Sequence, residues 1–147
     1  MSPFVVREVE VNDRLNWEPL WQAYQSPSRK IPDEVTNVTW QRFFDELEPV
    51  HALVAAEGEA LIGFVHYLFH RSTAQLAPIC YLQDMYVEDG SRRRGVARSL
   101  IHNVCLRAKT LGASRVYWNT GKNNAAARAL YGQVATLTGF VQYRIDL

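Results

Sequence analysis

The longest run of regularly spaced apolar residues lies at 95–111, where Val96, Leu100, Ile101, Val104, Cys105 and Ala108 recur every three or four positions. That period lines one face of a helix, and Gly112 follows as a stop. Residues 50–56 and 60–70 are apolar runs of strand length around Glu57-Gly58-Glu59, which predicts a hairpin. Residues 81–87 predict a third strand beyond the polar, proline-containing stretch 71–78. Upstream, residues 4–11 alternate loosely as a first strand. Asn12 and Asp13 offer cap chemistry for a helix carrying Leu15, Trp17, Leu20, Trp21 and Tyr24, which Ser26-Pro27-Ser28 breaks. Residues 33–47 read as helix again, in one or two pieces, with Val35, Trp40, Phe43, Phe44 and Leu47 on the apolar side. Downstream, 115–119 is a short strand, Asn123 and Asn124 cap a helix over 125–136, and 140–145 is a closing strand.

This order predicts one mixed α/β domain over residues 1–147, without repeats or linkers. Strand–helix–strand over 81–119 requires a parallel crossover, and ligands in such sheets gather at the carboxyl ends of the strands. Val87 and Asn119 occupy those ends. A chain of this length buries an adequate core without staples. The net charge of +1 gives no global field for nucleic acid or an anionic membrane. Cys80 and Cys105 fall in an apolar strand and on an apolar helix face. Both are expected buried and reduced, which suits a cytoplasmic location. Neither belongs to a cluster with metal-ligand spacing, so no metal is expected. The amino-terminal residues Met1-Ser2-Pro3-Phe4-Val5-Val6-Arg7-Glu8 carry an early acidic residue and no long apolar stretch, unlike a signal peptide or membrane anchor.

The chemistry concentrates between the strand at 81–87 and the helix at 95–111, where Arg92, Arg93, Arg94, Gly95, Val96 and Ala97 form a short basic loop. The first N–H groups of a helix have no intrahelical acceptor, and the helix dipole adds about half a positive charge there. A phosphate or pyrophosphate binds such a site, and Gly95 gives it room at the backbone. A solvated basic turn is the plainer reading of the loop taken alone.

The carboxyl-terminal part, roughly residues 50–147, resembles the Gcn5-related N-acetyltransferase superfamily. Four features occur in the family's order. They are the strand Leu82-Gln83-Asp84-Met85-Tyr86-Val87, the arginine–glycine loop matching Q/R-x-x-G-x-G/A, Asn119, and Asn124-x-x-Ala127-x-x-Leu130-Tyr131 with Gly139-Phe140 beyond. Extra residues between Tyr131 and Gly139, together with Trp40-Gln41-Arg42-Phe43 and Gly63-Phe64-Val65-His66-Tyr67, look similar to the branch of fungal polyamine/histone acetyltransferases and bacterial relatives. The resemblance implies a central, mostly antiparallel sheet with a splayed parallel strand pair and about four helices. It implies acetyl-CoA as donor and an amine as acceptor: a polyamine, another small amine or a lysine-like group. A homodimer is implied too, since relatives often pair and the terminal strand presents an edge.

The roles that follow are those the resemblance implies. Main-chain N–H groups of Arg92 to Ala97 bind the CoA pyrophosphate, with Arg92 or Arg93 adding charged contacts. The backbone of Met85, Tyr86 and Val87 pairs with the pantetheine arm, and the Val87 N–H reaches the thioester carbonyl. Asn119, Asn124 and Ala127 contribute cofactor contacts. Tyr131, also close to the cofactor, is the general acid for the departing thiolate. For the general base, relatives place a glutamate where Gln83 stands, and glutamine takes no proton. Asp84 is the nearest carboxylate, turned by strand alternation to the opposite face, and fits attraction of a cationic acceptor or a water-relayed proton. His66, Tyr67, His70 and Trp118 are candidates to line the acceptor pocket. Two other readings stand beside the enzyme: a non-catalytic CoA-binding module, favoured by Gln83, and a peptide or protein amino-terminal acetyltransferase.

Overall fold

A computed structural model describes residues 3–147; Met1 and Ser2 of the amino-terminal stretch lie outside the described residues. Five strands form one sheet in chain order: β1 (Val5–Glu8), β2 (Val50–Glu57), β3 (Ala60–His70), β4 (Ile79–Val87) and β5 (Val116–Tyr117). The first three pairings are antiparallel and β4–β5 is parallel. The β2–β3 connection is a tight hairpin, with Glu57 opposite Ala60 and Gly58 at φ +62°. Four α-helices flank the sheet: α1 (Arg14–Tyr24), α2 (Asp33–Arg42), α3 (Val96–Thr110) and α4 (Ala125–Val134).

Strands β2 and β3 are buried on both faces, which explains their nearly unbroken apolar sequence. Helix α3 lays Val96, Leu100, Ile101, Val104 and Ala108 on one face, against Leu53, Val65, Leu82 and Val87. On the other face Trp17, Leu20 and Trp21 of α1 and Trp40 of α2 pack on Val54, Leu61 and Phe64. Gly63 of β3 lies opposite Val87 of β4. A Cβ there would lie 2.9 Å from the Tyr86 carbonyl oxygen, so the glycine sets how near β3 comes to β4. Gly63→Ala is expected to cost about 1–3 kcal/mol in stability through overpacking, read as a lower Tm. An unchanged Tm would show that β4 gives way freely.

Several expectations need correction. Helix α2 ends at Arg42, and residues 43–48 continue as turns. Leu47 and Leu15 are 94% and 83% exposed, and Val35 and Phe44 are also exposed. A wide aromatic cluster of Trp17, Trp21, Trp40 and Phe43 already fills the space beneath these elements. Cys105 is exposed, because α3 buries a narrower stripe than its apolar sequence suggests. Strand β5 contains only Val116 and Tyr117, and no strand forms at 140–145. There Phe140, Val141, Tyr143 and Ile145 are solvent-exposed.

Candidate active site

Gln83 opens the site by being left out of the ladder. Tyr67 pairs with Leu82 and His66 with Asp84, which makes Gln83 a bulge. Beyond it, Asp84 and Tyr86 face α1, whereas Met85 and Val87 face α3. Pairing of β4 with β5 stops at Tyr81–Tyr117, while β4 runs on to Val87. From Leu82 onward, the edge of β4 away from β3 has no strand neighbour among the described residues. The Glu88 N–H donates to the Ile62 carbonyl at 2.9 Å, on the β3 side. Backbone alternation therefore turns the N–H groups of Met85 and Val87 towards the open edge.

The arginine–glycine loop closes one end of this cleft. Arg93 (φ 65°) and Gly95 (φ 78°) are both left-handed, a sequence of conformations that curls N–H groups into an anion-binding concavity. Glycine at 95 answers this conformation, since a Cβ there would touch no protein atom. The first α3 bond runs from Ser99 N–H to the Gly95 carbonyl at 2.9 Å, so Val96 and Ala97 N–H groups have no intrahelical acceptor. The three arginine side chains diverge. Arg92 donates from Nε to the Val87 carbonyl at 3.1 Å, pairs with Asp89 at 3.1 Å and lies over the Tyr86 ring. Arg93 is exposed, and Arg94 pairs with Glu57. Of the three, Arg94 thus has its guanidinium committed to the hairpin.

Across the cleft stand the end of β5 and the start of α4. Asn119 Nδ2 donates to the Tyr81 hydroxyl at 3.3 Å. Asn124 is the helix cap, its Oδ1 accepting from the Ala127 N–H at 3.2 Å. Capping consumes that N–H and leaves the Asn124 amide nitrogen and the Ala127 methyl for other contacts. Tyr131, two turns along α4, meets Trp118 edge-on at 5.3 Å. Burial raises its pKa, so the phenol keeps its proton at neutral pH.

At the bulge, His66 Nδ1 lies 3.0 Å from Asp84 Oδ2, and Trp17 Nε1 donates to His66 Nε2 at 3.1 Å. Tyr24, the last residue of α1, completes the group. Burial raises its pKa, followed by the charge of Asp84 and a hydrogen bond to it, with smaller influences from Tyr131 and Tyr81. Asp84, Tyr81 and Tyr131 are thus near enough to Tyr24 for their charges to raise its pKa. Sequence reading missed Tyr24, because an aromatic at helical spacing is ordinarily core; its place at the very end of α1 was the available signal. Among the other candidates, Trp118 lies beside Tyr131, and His66 is buried behind Asp84. Tyr67 faces the α3 core, and His70 bonds Tyr117 at the far end of β4. Burial pushes the Cys80 thiol up to about 12 and raises Cys105, so neither is a thiolate at neutral pH.

The buried histidine also bears on stability. Burial, the dominant cause, holds His66 below its ordinary 6.5, and burial does the same to His51. The unfolded chain therefore binds more protons in acid. Stability should be complete above about pH 6.5 and fall below it, by at most about 1.4 kcal/mol per pH unit for each proton taken up. Calorimetric Tm values flat from pH 8 to 7 and dropping towards pH 5 are expected. A Tm that rises on acidification would contradict this.

Comparison with known proteins gives this arrangement its family. Residues 16–135 match the acetyltransferase (GNAT) family model. The chain is 37% identical over 143 residues to D-amino-acid N-acetyltransferase HPA3 of Saccharomyces cerevisiae, covering 95% of this chain and 89% of that protein. It is 26% identical to the uncharacterized N-acetyltransferase YhfO of Bacillus subtilis, covering 97% of each. Among solved structures, the aminoglycoside N-acetyltransferase AAC(6')-Iy in complex with CoA superposes with a TM-score of 0.86 at 17% identity, covering 99% of this chain and 96% of the other. A ribosomal-protein-alanine N-acetyltransferase from Brucella melitensis gives 0.83 at 21%, covering 98% and 99%. The chain belongs to the GNAT family of N-acetyltransferases.

Proposed function

We propose that the protein, acting as one domain, transfers the acetyl group of acetyl-CoA to a primary amine of a small molecule by direct attack in a ternary complex. The open β4 edge carries this reading, because it runs from Asp84 and the bulge at Gln83 to the left-handed arginine–glycine loop. Pyrophosphate binds the main-chain N–H groups of residues 92–97, with charge from Arg92 and Arg93. The pantetheine arm adds along Met85, Tyr86 and Val87 much as a further strand would, and the Val87 N–H meets the thioester carbonyl. Asn119, Asn124 and Ala127 line the other wall. Oxygen charge grows as the amine attacks, and loss of one such N–H donor costs about 2.7–4 kcal/mol of barrier. Tyr131 donates a hydrogen bond to the departing thiolate. Asp84 attracts the ammonium and accepts its proton, directly or through water. The raised cysteine thiols support transfer without an acyl-enzyme.

An acceptor bound beside Asp84 would meet a carboxylate with tyrosines nearby, which suits a small amine with further polar groups. The yeast relative's activity makes D-amino acids the first acceptors to try, ahead of polyamines. The test is free-thiol release from acetyl-CoA across D-amino acids, polyamines, aminoglycosides and peptide amino termini. Turnover with small amines is expected. Turnover confined to peptide amino termini would overturn the small-molecule reading.

The protein works in the cytoplasm as a homodimer. Val141, Tyr143, Ile145 and Leu147 alternate with Gln142, Arg144 and Asp146, the pattern of a strand with one buried face, yet they stand exposed beside no strand. Reciprocal pairing of this segment with a second copy covers it on both protomers. Removal of residues 136–147 should convert a dimer into a monomer in light scattering. A monomeric full-length chain would contradict the assignment.

A further inference from the structure

Among the buried side chains, His66 stands out: it is 2% exposed and ringed by Trp17, Trp21, Phe43 and Phe64, with centroids 4.5–5.8 Å away. Its two nitrogens have unequal partners, and this fixes its protons. An indole N–H can only donate, so His66 Nε2, which receives the Trp17 bond, carries a lone pair. The hydrogen of the neutral ring then sits on Nδ1 and points at Asp84 Oδ2, 3.0 Å away. A second proton at Nε2 would confront the Trp17 N–H, and burial among rings opposes the charge as well. His66 is therefore held as a one-directional donor. Asp84 is held by the His66 N–H from β3, and it raises the pKa of Tyr24 at the end of α1.

We propose that His66 is a positioning residue for acetyl transfer: Trp17 fixes its tautomer, and its Nδ1–H keeps Asp84 oriented as the acceptor of the amine proton. This rests on the reading of Asp84 given above. The proton balance is simple. Asp84 takes the ammonium proton on an oxygen lone pair facing the pocket, while the His66 proton stays on Nδ1. No charge passes through the ring. The amino-terminal helix thus reaches the chemistry twice, through Trp17 behind His66 and through Tyr24 in front of it. Packing of α1 on β3 is in this way coupled to the aim of the carboxylate.

A double-mutant cycle tests the proposal. His66→Leu, which keeps bulk and loses the donor, is expected to lower kcat/KM for the amine about 10–100-fold, the range for losing a hydrogen bond to a charged group. The KM for acetyl-CoA should stay within about twofold of the parent. His66→Asn, whose amide can replace the Nδ1–H donor, should recover most of the loss. In an Asp84→Asn background, His66→Leu should cost nothing further. Losses that multiply across the cycle would overturn the role of His66 while leaving that of Asp84 standing. Full turnover in Asp84→Asn alone would overturn the reading of Asp84 itself. Long-range 1H–15N spectra of the unaltered protein give a second readout independent of variant folding. They should show the Nδ1–H tautomer at pH 7, and an Nε2–H tautomer or an imidazolium would overturn the proposal.

Discussion

Asp84→Asn should lower kcat/KM for the amine by about 10²–10³-fold at pH 7, within the usual range for one acid–base group. An alkylammonium with a pKa of about 10.4 is deprotonated in about one molecule in 2,500 at pH 7, a cost of about 4–5 kcal/mol. A carboxylate is the weaker base in water, so the transfer becomes accessible only as the ternary complex excludes water, which disfavours the ammonium–carboxylate ion pair relative to the neutral pair. Asparagine keeps the size of Asp84, and its carbonyl can still accept from His66 and Tyr24, so the fold should survive. The variant's rate should then climb about tenfold per pH unit as the free amine increases, narrowing the gap to the parent. The KM for acetyl-CoA should not move. The pH profile of kcat/KM for parent and variant decides the matter, and parallel profiles would rule out proton acceptance by Asp84.

Tyr131→Phe carries the second large effect, a fall in kcat of about 10²-fold or more. A phenol near pKa 10 is a weaker acid than a thiol near 8.5, so full proton transfer to the thiolate is uphill by about 2 kcal/mol. Its larger contribution is a hydrogen bond that strengthens as the sulfur gains charge, worth about 2.7–4 kcal/mol where such donors have been removed. Burial keeps the proton on Tyr131 across the working pH range. The interaction belongs to the transition state, so kcat and kcat/KM should fall together. Steady-state kinetics with the amine varied at saturating acetyl-CoA check this. Full kcat in the variant would remove Tyr131 from the chemistry.

Much of this architecture was legible in the sequence. The period of α3, the doubly buried β2 and β3 and the cap at Asn124 are local signals, and each produced its element. The resemblance implied a splayed parallel pair, and the parallel β4–β5 pairing is present. What failed depended on neighbours far along the chain. Leu15 and Leu47 look like core residues, but Trp17, Trp21, Trp40 and Phe43 fill the space available to them. Residues 140–145 have strand alternation yet form no strand, although β5 pairs only with β4. The bulge at Gln83 is invisible in a run that alternates normally, though it is what pairs Asp84 with His66. Tyr24 looked like a packing residue in sequence and His66 like a candidate lining the acceptor pocket; their links to Asp84 arise only when α1 lies across β3 and β4.

The most direct test of the cleft assignment is a crystal structure with a non-hydrolysable acetyl-CoA analogue and a small amine bound together. The pantetheine should run along the open edge at Met85 and Val87, with the pyrophosphate on the loop from Arg92 to Ala97. The sulfur should lie within hydrogen-bonding reach of Tyr131, and the amine nitrogen beside Asp84. A pantetheine arm bound away from β4, or an amine remote from Asp84, would contradict the mechanism.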